Sequence, residues 1–271
     1  MKLLTSLMVG AFFMFGAVSA QAQDFDKGLA AYYTGDFSTA LKEWRPLAEQ
    51  GNAAAQYNLG LMYQNGDGVV QDYAEAVRWF RLVAEQGDAG AQYNLGVMYK
   101  NGNGVVQDYA EALRWYRLAA EQGYAYAQSN LGVMYQYGDG IVQDYAEAVK
   151  LYRLAAEQGY ADAQNNLGFM YEYGKGVVHD YAEAVRWYRL AAEQGYAKAQ
   201  SNLGFMYKYG KGVIQNNILS HMWYNIASAN GSKKSSEWRD EIATKMTSAD
   251  ISKAQAMAKV CMSSGYKKCG W

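Results

Sequence analysis

Proline is nearly missing from this chain: Pro46 is the only one in 271 residues. That excludes Pro-rich linkers and collagen-like structure. Histidine and cysteine occur twice each, too few for the usual His/Cys zinc sites. A basic excess is also missing. The 25 Lys+Arg stand against 26 Asp+Glu, a net charge of −1, which argues against a general nucleic-acid binder. After the first 22 residues no apolar run reaches the length of about 20 residues that crosses a bilayer. No P-loop, dinucleotide fingerprint, nucleophile elbow or metal-protease motif is present. The expectation is therefore no cofactor, no metal, no nucleic acid and no catalytic residue. What the chain does have is apolar and aromatic content. Hydrophobic residues make up 51%, enough for a sizeable core, and 25 Tyr dominate an aromatic fraction of 15%.

Residues 1–22 read as a secretory signal peptide. Lys2 supplies the positive start, Leu3 to Ala17 is largely apolar, and small residues follow, so cleavage is expected after Ala20 or Ala22. The competing reading is a membrane anchor. The run is short for that, and no basic flank follows it. No cysteine lies near the cleavage point, which speaks against a lipid anchor. The mature protein is then expected in the periplasm or secreted, with no integral membrane segment. Cys261 and Cys269, eight apart near the C-terminus, fit an oxidising compartment and are expected to form one small disulfide loop.

Internal repetition organises the rest. Leu-Gly recurs at 59–60, 95–96, 131–132, 167–168 and 203–204, a step of 36. Met-Tyr follows in register at Met62, Met98, Met134, Met170 and Met206. Ala-Glu-Gln-Gly and Asp-Tyr-Ala-Glu-Ala recur at the same step. A period of this size indicates a stacked solenoid. Within a unit, Ala55, Leu59, Met62 and Tyr63 share one face of a first helix. Asn65-Gly66-Asp67-Gly68 ends it. Asp72 caps a second helix whose apolar face holds Tyr73, Ala76, Trp79, Phe80 and Val83. Gly60, in mid-helix, costs about 1 kcal/mol relative to Ala. Its recurrence points to close packing, with Ala76 and Ala84 expected opposite.

The run Ala-x-Ala-Gln-x-Asn-Leu-Gly-x-Met-Tyr-x-x-Gly-x-Gly-Val-x-x-Asp-Tyr-x-Glu-Ala-x-x-Trp-Tyr, as in residues 161–188, resembles the Sel1-like repeat family, relatives of the tetratricopeptide repeat. The resemblance covers about Phe25 to Asn230. It implies an all-α fold, with α/α units stacked into a right-handed superhelical solenoid. It also implies a bacterial, exported scaffold or adaptor that binds a protein or peptide. The expected organisation is a tetratricopeptide-like unit at 23–51, then units 52–87, 88–123, 124–159, 160–195 and 196–230. Residues 231–271 form a C-terminal helical cap. The first unit is four loop residues shorter than the others, and Pro46 is expected to kink or break its second helix. At the other end Leu219, Met222 and Asn225 replace Glu183, Arg186 and Arg189, so an apolar face needs covering. Residues 232–246 and 249–261, helical in pattern, are expected to cover it.

Repeats carry an internal control: chemistry is needed once, whereas structure recurs. Glu75, Glu111, Glu147 and Glu183 recur, each three residues before a cation, and read as surface ion pairs. His179 replaces a loop Gln. His221 replaces an apolar helix residue and reads as packed. Ser264-x-x-Lys267 has the spacing of a penicillin-recognising nucleophile but lies in the disulfide loop without companion motifs.

By the tetratricopeptide likeness, the first helix of each unit lines a concave groove, at positions 54, 57, 58, 61, 64 and 65 and their equivalents. Tyr137, Tyr173 and Tyr209, with Phe169 and Phe205 and with Tyr126, form a candidate binding row, because aromatics bury large area with few rotors. Inter-repeat core is the alternative. Asn58, Asn94, Asn130, Asn166 and Asn202 recur. They read either as a ladder for an extended peptide backbone or as hydrogen bonds between helices. Residues 231–271 carry a net +4, with eight basic and four acidic side chains, and residues 21–230 a net −6. The favoured function is non-enzymatic binding of a protein or peptide through the groove, in cell-envelope processes or host interaction. An envelope peptidoglycan- or β-lactam-binding protein or hydrolase is the second class. Self-assembly into a homo-oligomer through the repeat ends is the third.

Overall fold

A computed structural model describes residues 24–270. The signal-peptide expectation at 1–22 lies outside the described residues. Among these, fourteen helices and no strand occur. The first pair is α1 (Phe25–Tyr33) and α2 (Phe37–Glu49). Five similar pairs follow: α3 (Ala53–Asn65) with α4 (Tyr73–Glu85), α5 (Ala89–Asn101) with α6 (Tyr109–Glu121), and α7 (Ala125–Tyr137) with α8 (Tyr145–Glu157). Then come α9 (Ala161–Tyr173) with α10 (Tyr181–Ala192) and α11 (Ala197–Tyr209) with α12 (Asn217–Ala229). The chain closes with α13 (Lys233–Ala243) and α14 (Ser248–Ser263). Each helix from α1 to α12 packs on the next, and α14 folds back onto α12. The result is an all-α repeat solenoid. The first helix of a pair is called A here and the second B.

Local chemistry sets the ends of these helices. Asp72, Asp108, Asp144 and Asp180 each accept two backbone N–H bonds at the start of a B helix. Such a cap is worth about 1 kcal/mol. The A helices end on Gly66, Gly102, Gly138, Gly174 and Gly210 in the left-handed conformation, which only glycine enters without steric cost. Two residues on, a second loop glycine lies against the preceding unit: a Cβ at Gly104 would stand 2.3 Å from the Tyr73 backbone. That contact sets the stacking of one unit on the last.

The mid-helix glycine has a nearer partner than the one its sequence suggested. A Cβ on Gly60 would meet the Phe80 ring at 2.7 Å, and one on Gly96 the Tyr116 ring at 2.5 Å. The space left by glycine receives an aromatic ring of the B helix. The Ala76 position lies beside it in later units, where a Cβ on Gly132 or Gly168 would stand 3.3 or 3.1 Å from the carbonyl of Ala148 or Ala184. Phe80, Tyr116, Tyr152 and Tyr188 are fully buried there, each contributing about 1.5–3 kcal/mol by leaving water. The core runs from unit to unit: Val83 and Ala84 of α4 pack with Ala91, Leu95 and Met98 of α5, and Trp115 of α6 closes the same cluster.

The two ends differ from the middle. Helix α2 continues through Pro46 to Glu49 without interruption, contrary to the break expected of an interior proline. Buried Trp44 and Ala48 on either side hold the last turn in place, which offsets the missing N–H bond. Trp44 occupies the space left by Gly28, as Phe80 does for Gly60. At the other end, the apolar face of α12 (Met222, Trp223, Ile226) is covered by Ala254, Ala258 and Cys261 of α14. Cys261 and Cys269 are joined in a disulfide. Tyr266 inside that loop donates to Asn230 at 3.0 Å, pinning the terminus to the end of α12.

Candidate functional site

The exposed face of the A helices starts from a rigid frame of side-chain bonds. Gln56, Gln92, Gln128, Gln164 and Gln200 are buried and donate to backbone carbonyls eight residues earlier, at 3.0–3.3 Å. Each also accepts from the amide thirty residues later: Gln86, Gln122, Gln158, Gln194 and Asn230, at 2.8–3.2 Å. A second set links Arg117, Arg153 and Arg189 of one unit to the hydroxyls of Tyr135, Tyr171 and Tyr207 in the next. Sequence reading missed both sets. The strict recurrence of these Gln and Arg residues was their signal, but a bond spanning 18 or 30 residues shows only once the stacking is known.

The four Glu–cation pairs on the B helices form as expected, at 2.8–3.0 Å. His221 is buried, and burial holds its imidazole below the usual histidine pKa. His179 is exposed, edge-on to Tyr181. The Ser264 hydroxyl donates to Cys261 O at 2.7 Å and accepts from Lys268 N, so it serves as a helix-end cap. No group of three or more His, Cys, Asp or Glu able to hold a metal occurs among the described residues.

Three of the recurring Asn residues, Asn94, Asn130 and Asn202, reach the preceding A helix, while Asn130 and Asn166 also bond within their own helices. Asn94 donates to the Tyr57 hydroxyl at 3.2 Å, and Asn130 to the Tyr126 carbonyl at 3.0 Å. Asn166 donates to Asp162 at 3.2 Å and Asn202 to Asn165 at 2.9 Å. Asn58 lines a cleft with Phe25, Leu29 and Tyr57 at the first unit. These amides are half-buried, and four of them spend donors within the chain. The groove position numbered 64 also changes in later units. Gln136, Glu172 and Lys208 are buried rather than lining a groove. Gln136 and Glu172 accept from the buried hydroxyls of Tyr152 and Tyr188, and Lys208 pairs with Glu241 of α13 at 2.7 Å. Burial opposes the Lys208 ammonium, but the bond and charge of Glu241 together with neighbouring Tyr209 outweigh it and raise its pKa.

The tyrosine row lies at the exposed edge of this network, with Tyr173 interacting with Glu172 and the Lys208 ammonium 5.3 Å from the Tyr209 ring centroid. Tyr137, Tyr173 and Tyr209 are 66%, 54% and 54% exposed, at the last position of three successive A helices. Phe169 and Phe205 lie beneath the last two, with ring centroids 4.6 and 4.7 Å apart. Loop residues Lys175 and Lys211 reach over them. The Lys175 ammonium sits 5.2 Å from Tyr145 and 5.3 Å from Phe169. The Lys211 ammonium sits 5.1 Å from Tyr181 and 4.7 Å from Phe205. Tyr126 lies at the opposite end of the A helices. It stacks on Tyr160 at 4.6 Å, beside a cleft of about 450 Å³ that also includes Asp162 and Tyr196. Burial pushes the Tyr160 hydroxyl up to about 12. The structure therefore places the predicted aromatics in two groups rather than one row.

The Sel1 repeat profile matches residues 53–88, 89–124, 125–160, 161–196 and 197–232 in unbroken succession. The chain belongs to the Sel1 repeat family. Among solved structures it is similar to a protective antigen of uropathogenic Escherichia coli displaying an SLR fold. That likeness has 38% identity and a TM-score of 0.77, over 90% of this chain and 52% of the antigen. The chain thus spans about half the antigen's length. A Sel1 repeat protein from Oxalobacter formigenes is similar at 32% identity and a TM-score of 0.75, over 87% of this chain and 99% of that one. The curated proteins gave no match. Sel1 repeats mediate protein interactions, and no helix among the described residues is long and apolar enough to cross a membrane.

Proposed function

We propose that this Sel1-repeat protein is an exported, non-catalytic scaffold that binds a protein or peptide partner through the exposed face of its A helices. The supporting observation is the row Tyr137, Tyr173 and Tyr209. It is more than half exposed and in register on successive units, whereas nearly every other recurring aromatic is packed or bonded within the chain. Large rings held in water at regular spacing suit an interface better than a core. Export to the periplasm or beyond rests on the signal-like residues 1–22, and the disulfide is consistent with it.

The test is capture from envelope extract by the purified protein beside a Tyr137/Tyr173/Tyr209→Ala variant of unchanged helicity by circular dichroism. A protein held by the first and lost by the variant supports the reading. Equal capture moves binding off this face and overturns it.

A further inference from the structure

Three rows on the A-helix side change character together along the chain. The last A-helix position reads Asn65, Asn101, Tyr137, Tyr173, Tyr209. The position one turn earlier reads Leu61, Val97, Val133, Phe169, Phe205. The loop position just beyond reads Asp67, Asn103, Asp139, Lys175, Lys211. The last two units alone combine all three changes, giving two copies of one arrangement: Phe169, Tyr173 and Lys175, then Phe205, Tyr209 and Lys211. Resting on the groove reading above, we infer that this end of the face binds an extended acidic peptide segment, with a carboxylate on either side of an apolar side chain and all three on one face of the strand.

Each lysine is held by its surroundings. The Lys175 ammonium stands over two rings, Tyr145 and Phe169, and that of Lys211 over Tyr181 and Phe205. A cation over ring faces keeps its full charge while its stem loses freedom, so little ordering remains when an anion arrives. Helices α9 and α11 lie side by side, as the Asn202–Asn165 bond shows. Side chains of an extended strand alternate between its two faces, so those two and four residues apart share a face. Carboxylates four residues apart can therefore both face the two lysines, with an apolar side chain midway between them. The apolar side chain between them meets Phe205 and the exposed faces of Tyr173 and Tyr209.

The acidic groups nearby make the two lysines unequal. Glu172 is buried, 4.0 Å from the Lys211 ammonium, and takes part of its charge. Glu241 is bound to Lys208. Lys175 has no carboxylate within ion-pair distance among the described residues, so it carries more of the attraction.

The experiment is fluorescence anisotropy with three labelled synthetic peptides. They are identical except for two positions four residues apart, which hold Glu, Gln or Lys around a central Phe. The Glu peptide is expected to bind about 5-fold tighter than the Gln peptide at low salt. That margin shrinks when ionic strength is raised to about 0.15 M. Lys175→Gln lowers the margin more than Lys211→Gln, and the double variant erases it. Tyr173→Ala with Tyr209→Ala weakens all three peptides. Equal binding of the Glu and Gln peptides, tighter binding of the Lys peptide, or no binding of any overturns the acidic segment. The groove reading is judged separately by the capture experiment. Peptides that bind without charge preference but are lost in the tyrosine variants leave it standing.

Discussion

The first two Sel1 units and the last two share one scaffold and present different faces. Gly60 and Gly96 receive Phe80 and Tyr116 as Gly168 and Gly204 receive Tyr188 and Tyr224. The caps Asp72 and Asp180 bond alike, and the Glu75–Arg78 and Glu183–Arg186 pairs repeat. On the A-helix side the early units show Asn65, Asn101, Asp67 and Asn103, where the late ones show Tyr173, Tyr209, Lys175 and Lys211. Buried positions are bound to one another by close packing, so a change in one is felt by its neighbours. Exposed positions are under no such constraint. The difference between the two ends therefore marks where the molecule is free to acquire function.

The largest test of this comparison acts on the shared scaffold. Phe80→Ala in an early unit and Tyr188→Ala in a late one should each cost about 3–5 kcal/mol in urea unfolding, because both leave a cavity behind a glycine. Tyr188→Ala should cost the more of the two, because it also strands the buried Glu172 carboxylate that accepts from its hydroxyl, and equal losses would show that this bond adds nothing. A smaller effect is expected at the caps. Asp108→Ala and Asp180→Ala should each lower stability by about 1 kcal/mol, since each strands two N–H groups at a helix start.

The smallest effect sharpens the contrast at the C-terminal end. His221 stands where other units have Val77, Val149 and Val185, and burial depresses its pKa below the ordinary 6.5. The unfolded chain then binds a proton more readily than the folded one. Stability should therefore be full above pH 6.5 and decline as pH falls below it, toward the lowered folded value. His221→Val should flatten that part of a pH–stability profile, while Val185→Ala should lower the curve without changing its shape.

Much of this architecture is legible in the residues. The 36-residue step, the helix pairs, the Asp caps and the i,i+3 ion pairs follow from local spacing, and each is present in the structure. The exposed tyrosines could be named from variation between units. The aromatic partner of Gly60 could not, because a missing Cβ shows that something comes close without showing what. Nor could the burial of Glu172 and Lys208. Their equivalents Gln64 and Lys100 are only half-buried, and the groups that bond the later ones, Tyr188 and Glu241, lie 16 and 33 residues further along the chain. Pro46 misled for the same reason, since local propensity says break and the buried Trp44 and Ala48 say otherwise.

What the sequence determined by itself is the repeating unit, because helix periodicity, caps and left-handed glycines act within a few residues. What only the tertiary structure decided is which side chains meet across units. The Gln56–Gln86 type of bond and the ring in each glycine cavity depend on how the A helix packs on its B helix. The Arg117–Tyr135 type of bond and the placing of Lys175 and Lys211 over Tyr145 and Tyr181 depend on the offset between stacked pairs. That offset is set by packing over thirty or more residues, beyond the reach of any local signal.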